Sequence, residues 1–394
     1  MMLRNMERNL SRLRYTSGLA LVMAVTLPLA GANAVQLNAV YNDGGADNDW
    51  NTAANWDINQ VPDNNITDTF IAIINGGFNV DLDIEANVDG LTIGAGDNLD
   101  IQNNQDLLID NGGTVQNDGA IDFESIGNLT RMEFNAGGNI NGAGQFNFTN
   151  NANNAVRTGA GTTITQGVGH TLEGAFSLLS NNGSFVNNGT INSTLSGQVT
   201  IDPEDAGTFT NNGTMNATGT GGFRFNEATY NNNTQIDIGN GSRLDVKQDA
   251  KIIGGVINTT GTGVVNVDGS TGLGAQFENV TVNGNLRQNN SEDGTVTGTF
   301  NLDGTWEMNS IGTATVLNVN GGVTLDGNGT IDMSNNTQNR IVSDGADITI
   351  GNNFTIVGAG QLGLNNSGLI NNGTIQNDQA NSLTIDPSAA VSYT

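Results

Sequence analysis

The run NNGTINSTLSGQVTIDP, Asn187 to Pro203, returns as NNGTIQNDQANSLTIDP, Asn371 to Pro387. Nine of the seventeen positions are identical without a gap. Gly119, Gly189, Gly213 and Gly373 each follow Asn or Asp and precede Ala-Ile, Thr-Ile or Thr-Met. The intervals between these glycines, and the interval between the two runs, are close to whole multiples of about 23 residues. A unit that short cannot bury an apolar face alone, so a fixed period in this range predicts a solenoid whose units stack on one another.

Local pattern says which kind. Short runs such as Thr69-Phe70-Ile71-Ala72-Ile73-Ile74, Leu107-Leu108-Ile109, Val264-Val265-Asn266-Val267 and Asp347-Ile348-Thr349-Ile350 are strand-like, and several alternate apolar with polar residues. Asn-Gly and Asp-Gly steps punctuate them, as at Asn182-Gly183, Asn283-Gly284 and Asp303-Gly304, and these residues accept the left-handed backbone of tight turns. The same steps build antiparallel hairpins, so an antiparallel β-sandwich is the rival fold. The long-range period favours an all-β, parallel β-solenoid with three short strands per coil. The chain holds 64 Asn and 55 Gly. In such a stack, Asn at equivalent positions forms ladders of side-chain amides along the axis, which accounts for its abundance.

The organisation expected is a signal peptide at 1–34, an N-terminal cap at 35–74 and the solenoid at 75–394. Arg4, Arg8, Arg12 and Arg14 head a short apolar run, Gly18 to Leu29, followed by Ala32-Asn33-Ala34. That is a secretory signal, and the run is too short to span a bilayer. Without this segment, 8 basic residues face 38 acidic ones. Nucleic acid and anionic membrane surfaces are therefore not expected as partners, while divalent cations fit. The chain has no Cys, which rules out disulfides and thiolate chemistry, and one His, His170, which rules out a two-His metal site.

Repeated N-N-G-T-I units behind a signal peptide resemble secreted bacterial β-solenoid surface proteins, among them autotransporter passengers and matrix proteins with a PEP-CTERM sorting tail. The segment DWNTAANWDINQVPDNNITDTFIAI, Asp49 to Ile73, is similar to the start of such solenoids. The resemblance implies surface, adhesive or matrix roles, with contacts to polysaccharide or other polymers. When the two copies of the run are aligned, Phe209-Thr210 falls on Tyr393-Thr394, where the sequence stops in mid-coil with no sorting tail. The expectation is an array that continues further, or an open end that pairs with another copy.

Candidate chemistry is sparse. Gly167-Val168-Gly169-His170 faintly resembles the Gly-His element of polygalacturonase-like hydrolases, but the Asp pairs those need are absent, so His170 is expected to be an ordinary exposed or turn residue. Arg243, Lys247 and Lys251 are close in sequence without forming the cluster a lyase requires. Asp81, Asp83 and Glu85 alternate along DLDIE; on one strand they would share the outer face and form a candidate Ca²⁺ site, against the simpler reading of a solvated face. Asp43, Asp47 and Asp49 form a second acidic loop that fails the EF-hand pattern. Trp50 and Trp56 suit sugar stacking, or closure of a core end, which is the reading preferred. Threonine spacing is too irregular for an ice-binding face, and the Asn-x-Ser/Thr triplets follow from composition alone. The chain is thus expected to be non-catalytic, with a polysaccharide-active enzyme and a calcium-dependent assembly module as alternatives.

Overall fold

The computed structural model describes residues 34–269, 274–388 and 392–393. The expected signal peptide lies outside them, apart from Ala34. The rest is a parallel β-solenoid of about 14 turns. Apolar residues alternate inward along each short strand, as in Ser184–Asn187 and Thr214–Ala217. Each strand bonds in parallel to the strands one coil away. The antiparallel sandwich is excluded by this pairing; the isolated bridge between Tyr41 and Trp56 is antiparallel.

One inward column runs Val80, Leu99, Ile121, Phe146, Leu172, Ile191, Met215, Ile236, Ile257, Val282 and Leu302. Its sequence steps are unequal, short from Val80 to Leu99 and long from Phe146 to Leu172. Turns absorb the difference, so strands stay in register at a rise of about 4.8 Å per coil. Aromatic rings stack on the same principle: Phe148 lies 4.5 Å from Phe123 and 4.1 Å from Phe176 between ring centroids.

The stack begins before residue 75. Val35–Val40 pairs with Asp68–Ile74, which pairs with Ala86–Ile93. The intervening loop closes the core: Trp50 and Trp56 are buried, with ring centroids 4.8 Å apart. The Trp56 indole N–H donates to Trp50 O at 2.9 Å and the Trp50 indole to Pro62 O at 3.2 Å. Sugar stacking is thus closed to both rings.

Amide ladders run inside and outside. Inside, Asn187 Nδ2 donates to Asn211 Oδ1 at 2.8 Å, and Asn211 Nδ2 to Asn232 Oδ1 at 2.9 Å, all three residues being buried. Outside, one residue on, Asn212 Nδ2 donates to Asn188 Oδ1 at 3.0 Å and Asn233 Nδ2 to Asn212 Oδ1 at 2.7 Å. The two copies of the opening run make the same turn. Gly189 N–H donates to Asn187 Oδ1 at 3.0 Å, and Gly373 N–H to Asn371 Oδ1 at 3.2 Å. Neither glycine has the left-handed backbone expected of it. A Cβ would instead collide with the backbone oxygen one coil back, of His170 and of Phe354. Glycine is needed there because the coils approach so closely.

The echo extends well beyond the two runs. Ser125 Oγ donates to Asn128 O, Ser125 N–H to Asn154 Oδ1, and Asn103 Oδ1 takes the Ile126 N–H. The same cage recurs as Ser310 Oγ to Thr313 O, Ser310 N–H to Asn339 Oδ1, and Asn290 Oδ1 to Ile311 N–H. Both caged tips, Ile126 and Ile311, are exposed, at 84% and 83%. Two multi-coil blocks of this rod are therefore built alike.

The inner ladder is expected to matter far more than the outer one. Asn211→Ala strands a buried donor on Asn187 and a buried acceptor on Asn232, and should cost about 2–4 kcal/mol. Asn212→Ala, on the solvated row, should cost about 0.5 kcal/mol or less. Urea denaturation of both variants checks the contrast, and equal losses would contradict it.

Candidate functional site, an axial groove of amides and hydroxyls

The strand Asn79–Leu82 ends before the alternation of DLDIE does. Asp81 is on the strand, whereas Asp83 and Glu85 lie on the bend that follows. Asp81 Oδ1 accepts from Gln102 Nε2 at 3.0 Å and Asp83 Oδ1 from Asn51 N–H at 3.0 Å, while Glu85 is exposed. The trio is not brought together, and among the described residues no group of three or more His, Cys, Asp or Glu is placed to hold a metal ion. The acidic loop is satisfied internally: Asp47 accepts from Asn55 Nδ2 at 2.7 Å and Thr52 Oγ1 at 3.1 Å.

His170 is neither exposed nor a plain turn residue, contrary to expectation. It is fully buried, edge-on to Phe146 at 4.7 Å, with Nε2 3.1 Å from Asn117 Nδ2. Asn117 Oδ1 already accepts from Gly119 N–H at 3.2 Å, so Nδ2 faces the ring and Nε2 accepts. Nδ1 has no partner. Burial pushes the imidazole down to about 4, against a smaller pull from Asp118. This is a neutral ladder member in a dry place. Arg243, Lys247 and Lys251 each pair with a carboxylate, Asp245, Asp268 and Glu278 respectively.

Acids do gather, but along the axis. Asp81, Asp100 and Asp122 are in register on three successive coils, and the row continues through Asn147, Glu173, Asn192, Asn216, Asp237, Asn258, Asn283 and Asp303. The usable signal was the spacing of about one coil from Asp81 to Asp100 and again from Asp100 to Asp122, not the alternation within one strand. Asp100 is pushed up to about 6, first by burial, then by Glu124, with Asp122 and Asp81 contributing less. Glu124 is raised by burial and then by Asp122 and Asp81.

Beside this row runs an open groove of about 330 Å³ over four coils. Asn192, Asn216, Asp237 and Asn258 form one wall, and Thr194, Thr218, Gly239 and Thr260 the other, with Ala217 and Ile238 between them. Backbone bonds hold the second wall in line: Thr218 N–H to Ser193 O at 2.9 Å, Gly239 N–H to Ala217 O at 2.7 Å, and Thr260 N–H to Ile238 O at 2.9 Å. A hollow of about 320 Å³ lies nearer the N-terminus, between Asp122, Glu124, Asn147 and Thr149. Its Asp122 and Asn147 belong to the same acid and amide row. A larger cleft, about 460 Å³, is lined by Asp202, Arg224, Glu227, Lys247 and Asp268. There the charges are mixed and Lys247 is held by Asp268. The axial groove is distinguished by presenting the same kinds of group on coil after coil.

Compared with known families, curated proteins and solved structures, the chain matches none.

Two opposed pH responses follow. A carboxyl raised to about 6 stabilises the fold below the ordinary carboxylate range and loses that contribution as pH rises through 6. A histidine lowered to about 4 stabilises above 6.5 and loses up to about 3 kcal/mol as pH falls towards 4. Asp100→Asn should therefore raise the thermal midpoint at pH 7 and change it little at pH 4. His170→Gln should flatten the loss between pH 6.5 and 4. Melting curves across that range test both.

Proposed function

We propose that this protein is a secreted, non-catalytic surface or matrix protein that works by repeated contact with an extended polymer. The observation that carries this reading is the in-register repetition of one polar surface: the same row offers Asn192, Asn216, Asp237 and Asn258 at intervals of one coil. A rod with a continuous core holds these groups at fixed separations, so a polymer that meets one meets the next without further loss of orientation. Each contact is weak and the sum is not, which is how multivalent surfaces gain avidity. The sequence features of secretion and the preponderance of acidic residues support a location outside the cell. The acidic balance also favours neutral over anionic partners unless a cation intervenes.

The test is length dependence. Affinity for a binding polysaccharide should rise at least tenfold between fragments that reach one coil and fragments that reach four, measured by calorimetric titration. Affinity independent of length would point to a single compact pocket and against this reading. Fractionation of native cells, with detection in medium or surface extract, tests the location.

A further inference from the structure

Within the groove the outer row contains a step where two acceptors face each other, as also happens from Asn147 to Glu173 and from Asn283 to Asp303. Glu173 as a carboxylate can only accept, and Asn192 Nδ2 donates to it at 3.1 Å. Asn192 Oδ1 then faces the next coil and accepts from Asn216 Nδ2 at 3.0 Å. This fixes the orientation of Asn216, whose oxygen must face the following coil. Its register partner there is Asp237. Asp237 has no hydrogen to give, and already accepts from Asn258 Nδ2 at 2.7 Å and Gln235 Nε2 at 2.8 Å. Among the described residues no side chain donates to Asn216 Oδ1. Acceptor meets acceptor, about one coil rise apart. One amide bond follows, Asn283 Nδ2 to Asn258 Oδ1 at 2.9 Å, before Asn283 meets the Asp303 carboxylate; of these steps only Asn216 to Asp237 lies in the groove.

We propose that this step is the anchoring point of a neutral, hydroxyl-rich linear glycan lying in the groove along the rod axis. The inference rests on the polymer-binding reading above and adds the chemical class of the polymer and its contact. Two acceptors in a line call for a group that brings two hydrogens, and a vicinal diol of a sugar does so, giving one O–H to Asn216 Oδ1 and one to the Asp237 carboxylate. The groove is open where it is needed: Gly239, two residues beyond Asp237, has no side chain, while Thr218 and Thr260 stand on the coils either side. Their hydroxyls both give and take hydrogen bonds, as sugar hydroxyls require. The coils rise by about 4.8 Å each, so a linear polymer with a repeat near that length sets successive units against successive coils. An anionic polymer is disfavoured by Asp237 itself and by the net charge of −27.

Asp237→Asn is the decisive variant, because an amide there gives a donor to Asn216 Oδ1 and repairs the row. Full-length wild type and variant are titrated with neutral linear hexasaccharides of the glucan, mannan and galactan types, in chelator and again with Ca²⁺. The expected result is binding by the wild type in chelator, weaker by tenfold or more in the variant, together with a higher melting temperature of the free variant. Equal binding by both proteins overturns this anchoring point but leaves polymer binding standing. A wild type that binds none of the three, while Ca²⁺ raises its melting temperature and not that of the variant, overturns the glycan in favour of an ion. No response to either overturns the proposal outright. Binding only to longer or charged polymers overturns the chemical class and leaves the broader reading intact.

Discussion

Everything in this molecule depends on one requirement, that each coil lie on the one before it at the spacing of a parallel β-ladder. The N–H groups of one coil find the carbonyls of the last, so a strand has no partner within its own turn. Side chains are then judged by what stands above and below them. Apolar residues succeed when they stack, as Phe123, Phe148 and Phe176 do. Polar residues succeed inside only when they bond along the axis, and Asn is the residue whose amide both gives and accepts in that direction. Asn187, Asn211 and Asn232 show the result, a polar row in a dry core with its bonds made.

The same requirement explains what the sequence disclosed and what it hid. The solenoid, its parallel strands and its amide ladders were legible, because a repeated segment must serve a repeated environment. The closure by Trp50 and Trp56 was legible as two large rings just ahead of the first strong strand. Register was not. Thr171, Thr190 and Thr214 stand in line on the surface, although their unequal separations look irregular in the sequence. Turns of different length scramble a spacing that the strands restore in space. Reading DLDIE by the alternation of a single strand does not reveal the register partners of Asp81, which are Asp49 across the opening loop and Asp100 on the next coil.

His170 illustrates a second limit. It occupies the place that Gly144 and Gly189 hold on adjoining coils, and the bond from Thr190 N–H to His170 O, 3.0 Å, repeats that from Thr171 N–H to Gly144 O, 3.1 Å. A position that glycine holds on both neighbouring coils gave no sign that a ring could turn inward there and take over from an amide. Chemistry suggested by a lone histidine was, in space, a repair to a ladder.

The matching cages around Ile126 and Ile311 carry a last implication. A globular domain that gained several strands would have to redraw its core, because its strands touch many others. Here a block of coils touches only the coil at each of its ends, and both ends present the same kind of surface. Such a block can be copied into the stack while every other contact is left as it was. Length in this fold is thus a quantity that can change without renegotiating shape, and the two matching cages have the form that a copied block would take.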